Sequence, residues 1–135
     1  MMTLPQVETA IYTKIGQFIH PNTTVRIENQ PLFKGQQFVP PTDKPWCKVF
    51  VQYADGRIVG IGNEPCKRNF GIISIQCFTP KDKGTLDMAN LCEAWTQHIE
   101  NFQSGHLEVY LVHPPQDLKD DNFYGKIIRA EFSVN

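Results

Sequence analysis

Four cysteines and four histidines are the side chains of this sequence best suited to act as nucleophiles, general bases or metal ligands. Zinc sites built from cysteine pairs place about two to four residues between the two thiols. No two cysteines of this chain are that close, and we expect no metal site. Cys66 differs from the others because Lys67 and Arg68 follow it, and neighbouring cations lower the pKa of a thiol.

A cysteine–histidine pair remains open, because the partners in such a pair need not be close in sequence. The candidate bases are His20, His98, His106 and His113. The other three cysteines have a different context: Cys47 and Cys77 lie in apolar strand-like runs, and Cys92 lies on an apolar helical stripe. That context is typical of small buried hydrophobic residues. We expect no catalytic residues and no cofactor, and so a protein that is not an enzyme.

Composition narrows the class of protein further. The chain has 135 residues, 41% of them hydrophobic, which is enough for one core without a disulfide or metal. With 13 Lys and Arg against 14 Asp and Glu, it lacks the basic excess of a dedicated nucleic-acid binder. Apolar runs fall short of the ~20 residues that span a bilayer, and no signal-peptide pattern opens the chain. We expect one soluble, unexported domain over residues 1–135, with no membrane partner.

Hydrophobic periodicity predicts two helices. The first begins at the Thr3 cap and ends at His20, before Pro21; the second runs from about Thr85 to Gln103 and stops at Gly105. Alternating residues predict strands at Thr24–Glu28, Trp46–Tyr53, Arg57–Ile61, Phe70–Phe78, Leu107–Val112 and Lys126–Val134.

Two connections stand out between these strands. Asp55-Gly56 is a strong hairpin signal, with Arg57–Ile61 as the returning arm. Asn29–Pro45 contains four prolines and predicts a long extended loop. Consecutive strands without crossover helices favour antiparallel pairing. We therefore expect an α+β fold, with a mainly antiparallel sheet of about four to six strands and two helices packed on one face.

Three segments, in order along the chain, carry a resemblance to a known family. The first is Val25-Arg26-Ile27-Glu28-Asn29, and the second is Pro45-Trp46-Cys47-Lys48-Val49 after a proline-rich stretch. The third and most specific is Arg68-x-x-Gly71-x-Ile73-x-Ile75-x-x-Phe78-x-Pro80-x-x-x-Gly84, leading into a helix with Leu91. With the closing strand after Gly125, the sequence resembles the phage tail-terminator-like family of small tail-completion proteins.

The resemblance implies a structural virion protein, assembled in the host cytoplasm and located in the tail at the head–tail junction. Such proteins form rings, usually hexamers, that cap the tail tube, stop its polymerisation and join it to the head connector. DNA passes through the lumen. The implied partners are further copies of this chain, the tail tube protein, the head–tail connector or neck proteins and, in a contractile tail, the sheath protein.

A ring needs head-to-tail contacts that close by rotation. Apolar residues in the polar Asn29–Pro45 loop and the Asp55-Gly56 turn are the candidates for those contacts. The predicted subunit interface is Phe33, Phe38, Val39, Asp55 and Gly56. The opposite expectation for the loop is that it folds back over its own sheet.

Three cations are the candidates for the lumen. The predicted lumen set is Arg57, Lys67 and Arg68, in transient, non-specific contact with DNA phosphates. The alternative is that they are solvent-exposed loop charges.

Two other functions stay open. A head-completion or neck connector protein of the same phage shares the size and the ring geometry. A small Cys–His hydrolase or a binding module belongs to a different class. Unusually fast alkylation of Cys66 would favour the hydrolase.

Overall fold

The computed structural model describes residues 2–29, 38–54, 57–59 and 66–134, with the backbone alone for 57–59 and 66–69. In these ranges the chain forms two helices and eight strands. They are α1 (Leu4–Gly16), β1 (Thr24–Ile27), β2 (Trp46–Tyr53), β3 (Arg57–Val59), β4 (Cys66–Pro80), α2 (Leu86–Ile99), β5 (Gln103–Ser104), β6 (Leu107–Val112), β7 (Gln116–Leu118) and β8 (Phe123–Val134).

The strands form one sheet in the order β1-β2-β4-β8-β6-β5, with β3 added to β4 and β7 added to β8. Every pair is antiparallel except β1 with β2, which are parallel. The predicted α+β class is thus confirmed. The parallel pair arises because the long 28–45 connection returns the chain to the same end of the sheet, as a crossover does.

Two long central strands organise the sheet. β4 and β8 pair continuously from Asn69–Val134 to Pro80–Phe123. Alternation along them sends Ile73, Ile75 and Cys77 to the same face as Ile128, Ala130, Phe132 and Val134, and all of these are buried. We call this the inner face. The opposite, outer face carries Trp46, Lys48, Ser74 and Arg129, among others.

The helices cover the inner face. Their buried stripes are Val7, Ile11 and Ile15 from α1, and Met88, Leu91, Cys92, Trp95 and Ile99 from α2. These side chains join the inward strand residues in one hydrophobic cluster. Burial of such apolar surface is the main stabilising contribution in a domain of this size.

Helix α1 begins as predicted and ends early. Thr3 and Gln6 form a reciprocal capping box, with Thr3 N donating to Gln6 Oε1 at 2.8 Å and Gln6 N donating to Thr3 Oγ1 at 3.3 Å. The helix ends at Gly16 rather than at His20. Phe18 leaves the helical path to stack on Trp95, with ring centroids 3.7 Å apart, and glycine is a weak helix former.

Helix α2 is also shorter than predicted. It ends at Ile99, and Asn101 then adopts a left-handed φ of 60°. The chain leaves the helix because Gln103 and Ser104 form β5 against β6. Gly105, predicted as the helix stop, has φ 61° in the β5–β6 turn instead. Thr85 precedes α2 but makes no side-chain capping bond.

The predicted Asp55-Gly56 hairpin is wrong. β2 and β3 both pair antiparallel with β4, so the chain runs in the same direction before and after residues 55 and 56. The reversal lies between Val59 and Cys66. β4 begins at Cys66, well before the predicted start at Phe70. Its added residues pair with β3, so β3 does not fold back onto β2 as the turn signal predicted.

No helix in the described ranges is long and apolar enough to cross a membrane.

Candidate assembly surfaces

The two edges of the sheet present different surfaces. β1 lies at one edge and is only four residues long. At the other edge β6 is covered over two residues by β5. Edge strands offer backbone groups to a further strand, and short or irregular edges limit uncontrolled pairing. Two unlike edges are what a head-to-tail contact between copies requires.

Exposed apolar side chains occur at both edges. Val39, 80% exposed, follows Phe38, whose ring lies against β1. Tyr110 and Leu111 on β6 are each nearly half exposed. The register of β6 against β8 shifts between Val109 and Leu111, an irregularity of the kind that twists an edge strand. Large apolar groups at both edges are typical of surfaces that contact a partner.

A polar network lies beside the β6 edge. Glu131 on β8 accepts a hydrogen bond from Tyr110 Oη at 3.3 Å, and its other carboxylate oxygen lies 2.6 Å from His113 Nε2. Both members of the His113–Glu131 pair are partly exposed. Exposed pairs of this kind stabilise a fold by no more than about 1 kcal/mol. Their effect is to hold the end of β6 in one orientation on the outer face.

Two of the predicted interface residues, Phe38 and Val39, lie in the described part of the chain, and their surroundings differ. Phe38 is half-buried on its own sheet: its ring centroid is 5.5 Å from that of Trp46 and 4.4 Å from Arg26 Cζ. Of the two described members, Val39 is the exposed one and is available to a second chain. Phe33, Asp55 and Gly56 lie outside the described residues. The docking of this set on a neighbouring copy stays a prediction.

The predicted lumen residues share one hairpin. Arg57 on β3 is directly opposite Arg68 on β4, and Lys67 is opposite Ile58. Their side chains lie outside the described part of the chain. The backbone register alone concentrates three positive charges at one end of the sheet. The sequence does not show that Arg57 and Arg68 occupy directly opposed positions of a strand pair.

A second polar cluster ties α1 to β2. The carboxylate of Glu28, just after β1, accepts hydrogen bonds from Tyr12 Oη at 3.2 Å and from the Val51 amide at 3.0 Å. Tyr53 Oη donates to Glu8 Oε1 at 3.3 Å. Burial, and then the Glu28 carboxylate, raise the pKa of Tyr12 well above its usual value. Burial, and then Glu8, raise the pKa of Tyr53 to about 12.

Several of the histidines and cysteines considered as nucleophiles, bases or metal ligands pack against or hydrogen-bond to other parts of the fold. His98 Nε2 is 2.6 Å from the Lys14 carbonyl oxygen, which joins the ends of the two helices, and His20 stacks near Phe18. Cys47, Cys77 and Cys92 are free thiols in the core. The side chain of Cys66 lies outside the described residues. Within the described ranges, no group of three or more His, Cys, Asp or Glu side chains is arranged to hold a metal ion.

Sequence reasoning missed both tyrosine–glutamate clusters. Tyr110 and Glu131 are 21 residues apart, and Tyr53 and Glu8 are 45 apart. No pattern of neighbouring residues in the sequence predicts contacts between residues so far apart. They follow from the register of β6 on β8 and from the position of α1 over β2.

Comparison with known proteins yields a fold and no family. No protein-family model matches the sequence, and no curated protein matches it. Eight chains of solved structures match the fold. One of them aligns over 100% of this chain and 97% of its own length, with a TM-score of 0.71 and 16% sequence identity. Its name describes no activity, ligand or partner. At that identity the similarity shows a shared fold alone.

Proposed function

We propose that this protein is a tail terminator: a structural virion protein whose copies close into a ring, in most such proteins a hexamer, on the end of the tail tube. The ring stops tube polymerisation and joins the tube to the head connector. It leaves a lumen for DNA. The partners are then the tail tube protein, the neck proteins and, in a contractile tail, the sheath protein.

The observation that carries this proposal is the pair of unlike edges on one sheet. The exposed Val39 follows Phe38, whose ring contacts Arg26 on the edge strand β1, and the exposed Tyr110 and Leu111 lie on β6 near the other edge. A heterologous contact uses two different patches of the same chain, and repetition of that contact gives a ring when the rotation closes.

The sequence motif that carries the family resemblance has a physical basis in this fold. A Cβ at Gly71 would lie 2.4 Å from Phe132 Cζ and 2.7 Å from the Gln52 carbonyl oxygen, so only glycine fits beneath that ring. Gly84 has φ 79° in the turn that leads into α2, where glycine is unstrained. The motif therefore coincides with the β4–turn–α2 unit at the centre of the sheet.

Deletion of the gene from its phage tests the proposal. Without a terminator, tube polymerisation has no stop, and we expect overlong or ragged tails in electron micrographs. Tails of normal length beside heads that fail to join would instead identify the neck connector. The protein should be recovered on isolated tails made without heads. Recovery on tail-less heads would also favour the neck connector.

The β1-edge contact is tested by two single substitutions. Val39→Asp places a charge on the exposed apolar residue, and we expect ring formation on tube ends to fall while the stability of the subunit stays within about 0.5 kcal/mol. Phe38→Asp is the paired variant. If both variants assemble as well as the wild type, this loop takes no part in the interface.

The lumen assignment has its own test. Reversal of the charges of Arg57, Lys67 and Arg68 would replace attraction for DNA phosphates with repulsion. We expect intact tails but slower DNA delivery. Unchanged delivery would mean that these charges face solvent away from the DNA path.

A further inference from the structure

The two halves of the sequence carry opposite net charge. Residues 1–83 contain ten Lys and Arg against six Asp and Glu, whereas residues 84–135 contain three Lys and Arg against eight Asp and Glu. The strand order β1-β2-β4-β8-β6-β5 places strands of the first half at one edge of the sheet and strands of the second half at the other. The charge difference along the chain is therefore also a difference between the two sides of the sheet.

Two cations lie side by side on the outer face near the β1 edge. The parallel register of β1 and β2 pairs Arg26 directly with Lys48. Lys48 is exposed and Arg26 is partly exposed. Among the described residues, neither of them forms an ion pair with a carboxylate. Like charges held on neighbouring strands repel each other, so carboxylates brought by another molecule would relieve this repulsion.

Two carboxylates lie on the outer face beside the opposite edge. Glu108 on β6 is exposed and pairs in register with Ser133, and Glu131, two residues before Ser133 on β8, shares that face. Glu131 is held by Tyr110 and His113, and its side chain is 30% exposed. Glu108 has no ion-pair partner in the described part of the chain. The carboxylates nearest the β6 edge are thus opposite in charge to the cations nearest the β1 edge.

Lys48 and Glu108 are too far apart to pair within one subunit. Lys48 is paired with Gln76 of β4, which is paired with Ile127 of β8. Glu108 is paired with Ser133, six residues further along β8. Six residues of a strand span about 20 Å, and three strand spacings of ~4.8 Å also separate β2 from β6. Because an ion pair needs its atoms within about 4 Å, these two charges can meet only between molecules.

We infer that charge complementarity joins neighbouring copies of this chain, with Arg26 and Lys48 of one copy facing Glu108 and Glu131 of the next. The inference rests on the proposed ring and specifies the groups that select the neighbour. Complementary charges steer association and fix its register, whereas the approach of like charges is disfavoured. Two copies that met through their basic sides would repel each other. The contact is therefore head-to-tail, as closure of a ring requires.

A charge swap tests this inference. Lys48→Glu and Glu108→Lys each place like charges across the contact, and we expect each to lower the yield of rings on tube ends by about tenfold or more. Both positions are exposed, so the subunit should keep its fold. The double variant restores opposite charges and should recover most of the wild-type yield. Lys83→Glu, in the turn before α2, is the matched control and should leave the yield unchanged.

Cross-linking with a carbodiimide, which joins a lysine amine to a carboxylate in contact with it, gives a second readout. In rings assembled from equal amounts of ¹⁵N-labelled and unlabelled wild-type protein, we expect a mixed-label peptide that links Lys48 to Glu108 or Glu131. Rings without that link, or rings whose yield is unchanged in Lys48→Glu, would overturn this inference alone. A loss that Glu108→Lys fails to restore would also overturn it and would favour DNA on the basic side. Wild-type protein that closes no ring would overturn the proposed function as well.

Discussion

The two tryptophans of this chain lie on opposite faces of one sheet and have opposite surroundings. Trp95, on the helix-covered inner face, is fully buried, stacks on Phe18 and donates its N–H to Cys47. Trp46, on the outer face, stacks on Phe78 at 4.3 Å and contacts Phe123. Its Nε1 atom is buried without a hydrogen-bond partner among the described residues.

The difference extends to the rest of each face. Ser74 Oγ, the other buried side-chain atom without a partner in the described ranges, also lies on the outer face. A buried donor without a partner carries a desolvation cost that no hydrogen bond offsets. The inner face is complete within one chain and determines stability. Both atoms that lack a partner in this part of the chain lie on the outer face, so its buried polar groups contribute less to stability than the paired Trp95 N–H on the inner face.

Replacement of each tryptophan by alanine should give the largest difference in stability between the two faces. Trp95→Ala empties the centre of the core, and we expect a loss of about 3–5 kcal/mol in the free energy of unfolding. Trp46→Ala should cost clearly less, because Trp46 is partly exposed. Urea denaturation followed by circular dichroism measures both. Equal losses would show that the outer aromatic cluster is as important to stability as the core.

The next largest loss of stability is expected from substitution of Gly71, which lies beneath the Phe132 ring. Gly71→Ala forces a Cβ into the Phe132 ring and should cost about 1–3 kcal/mol or more, as overpacking does. Gly16→Ala is the matched control. Nothing lies within 4 Å of its added Cβ, and at a helix end alanine should be neutral or stabilising by up to about 1 kcal/mol. The midpoint of urea denaturation distinguishes the two variants. A Gly71→Ala midpoint equal to that of the wild type would show that the Phe132 ring moves aside at no cost.

Replacement of each tryptophan by phenylalanine tests the contrast between the two indole N–H groups. Trp95→Phe removes an indole N–H that has a partner, and we expect a loss of about 1–2 kcal/mol from the hydrogen bond and the lost volume. Trp46→Phe removes an N–H that has none, so relief of its desolvation offsets part of the lost contact. The expected change for Trp46→Phe is under about 1 kcal/mol. A larger loss for Trp46→Phe than for Trp95→Phe would contradict the contrast.

The smallest expected change in stability is a pH dependence that comes from Tyr12 and Tyr53, the tyrosines that hold α1 against β2. In the unfolded chain a tyrosine titrates near pH 10, whereas in the folded protein the pKa of Tyr53 is about 12 and that of Tyr12 is higher still. The unfolded state therefore loses its protons first, and stability falls as pH rises above about 10. Tyr12→Phe and Tyr53→Phe should each flatten that fall. An unchanged slope between pH 10 and 12 would mean that neither tyrosine has a raised pKa in the folded protein.

Local pattern was sufficient for most elements. The capping box at Thr3 and Gln6, the α2 stripe and the strand Trp46–Tyr53 lie where sequence predicted them. Each depends on the periodicity or capping of neighbouring residues. The short β7 was not among the strands that alternation predicted, because it exists only by pairing with β8.

Long-range pairing was the part that sequence could not supply. The parallel partner of β1 and the pairing of β3 with β4 depend on the register of distant strands. The surfaces proposed for assembly likewise depend in part on long-range pairing. Val39 could be singled out as an apolar residue in a polar loop, whereas the Tyr110–Glu131–His113 network required β6 and β8 to be aligned.

Cryo-electron microscopy of tails purified from particles whose genome encodes this chain tests ring closure directly. If the proposed function holds, we expect one closed ring of this protein at the head-proximal end of each tail, with the β1 edge of one copy against the β6 edge of the next. A single copy per tail, or copies distributed along the tube, would contradict it.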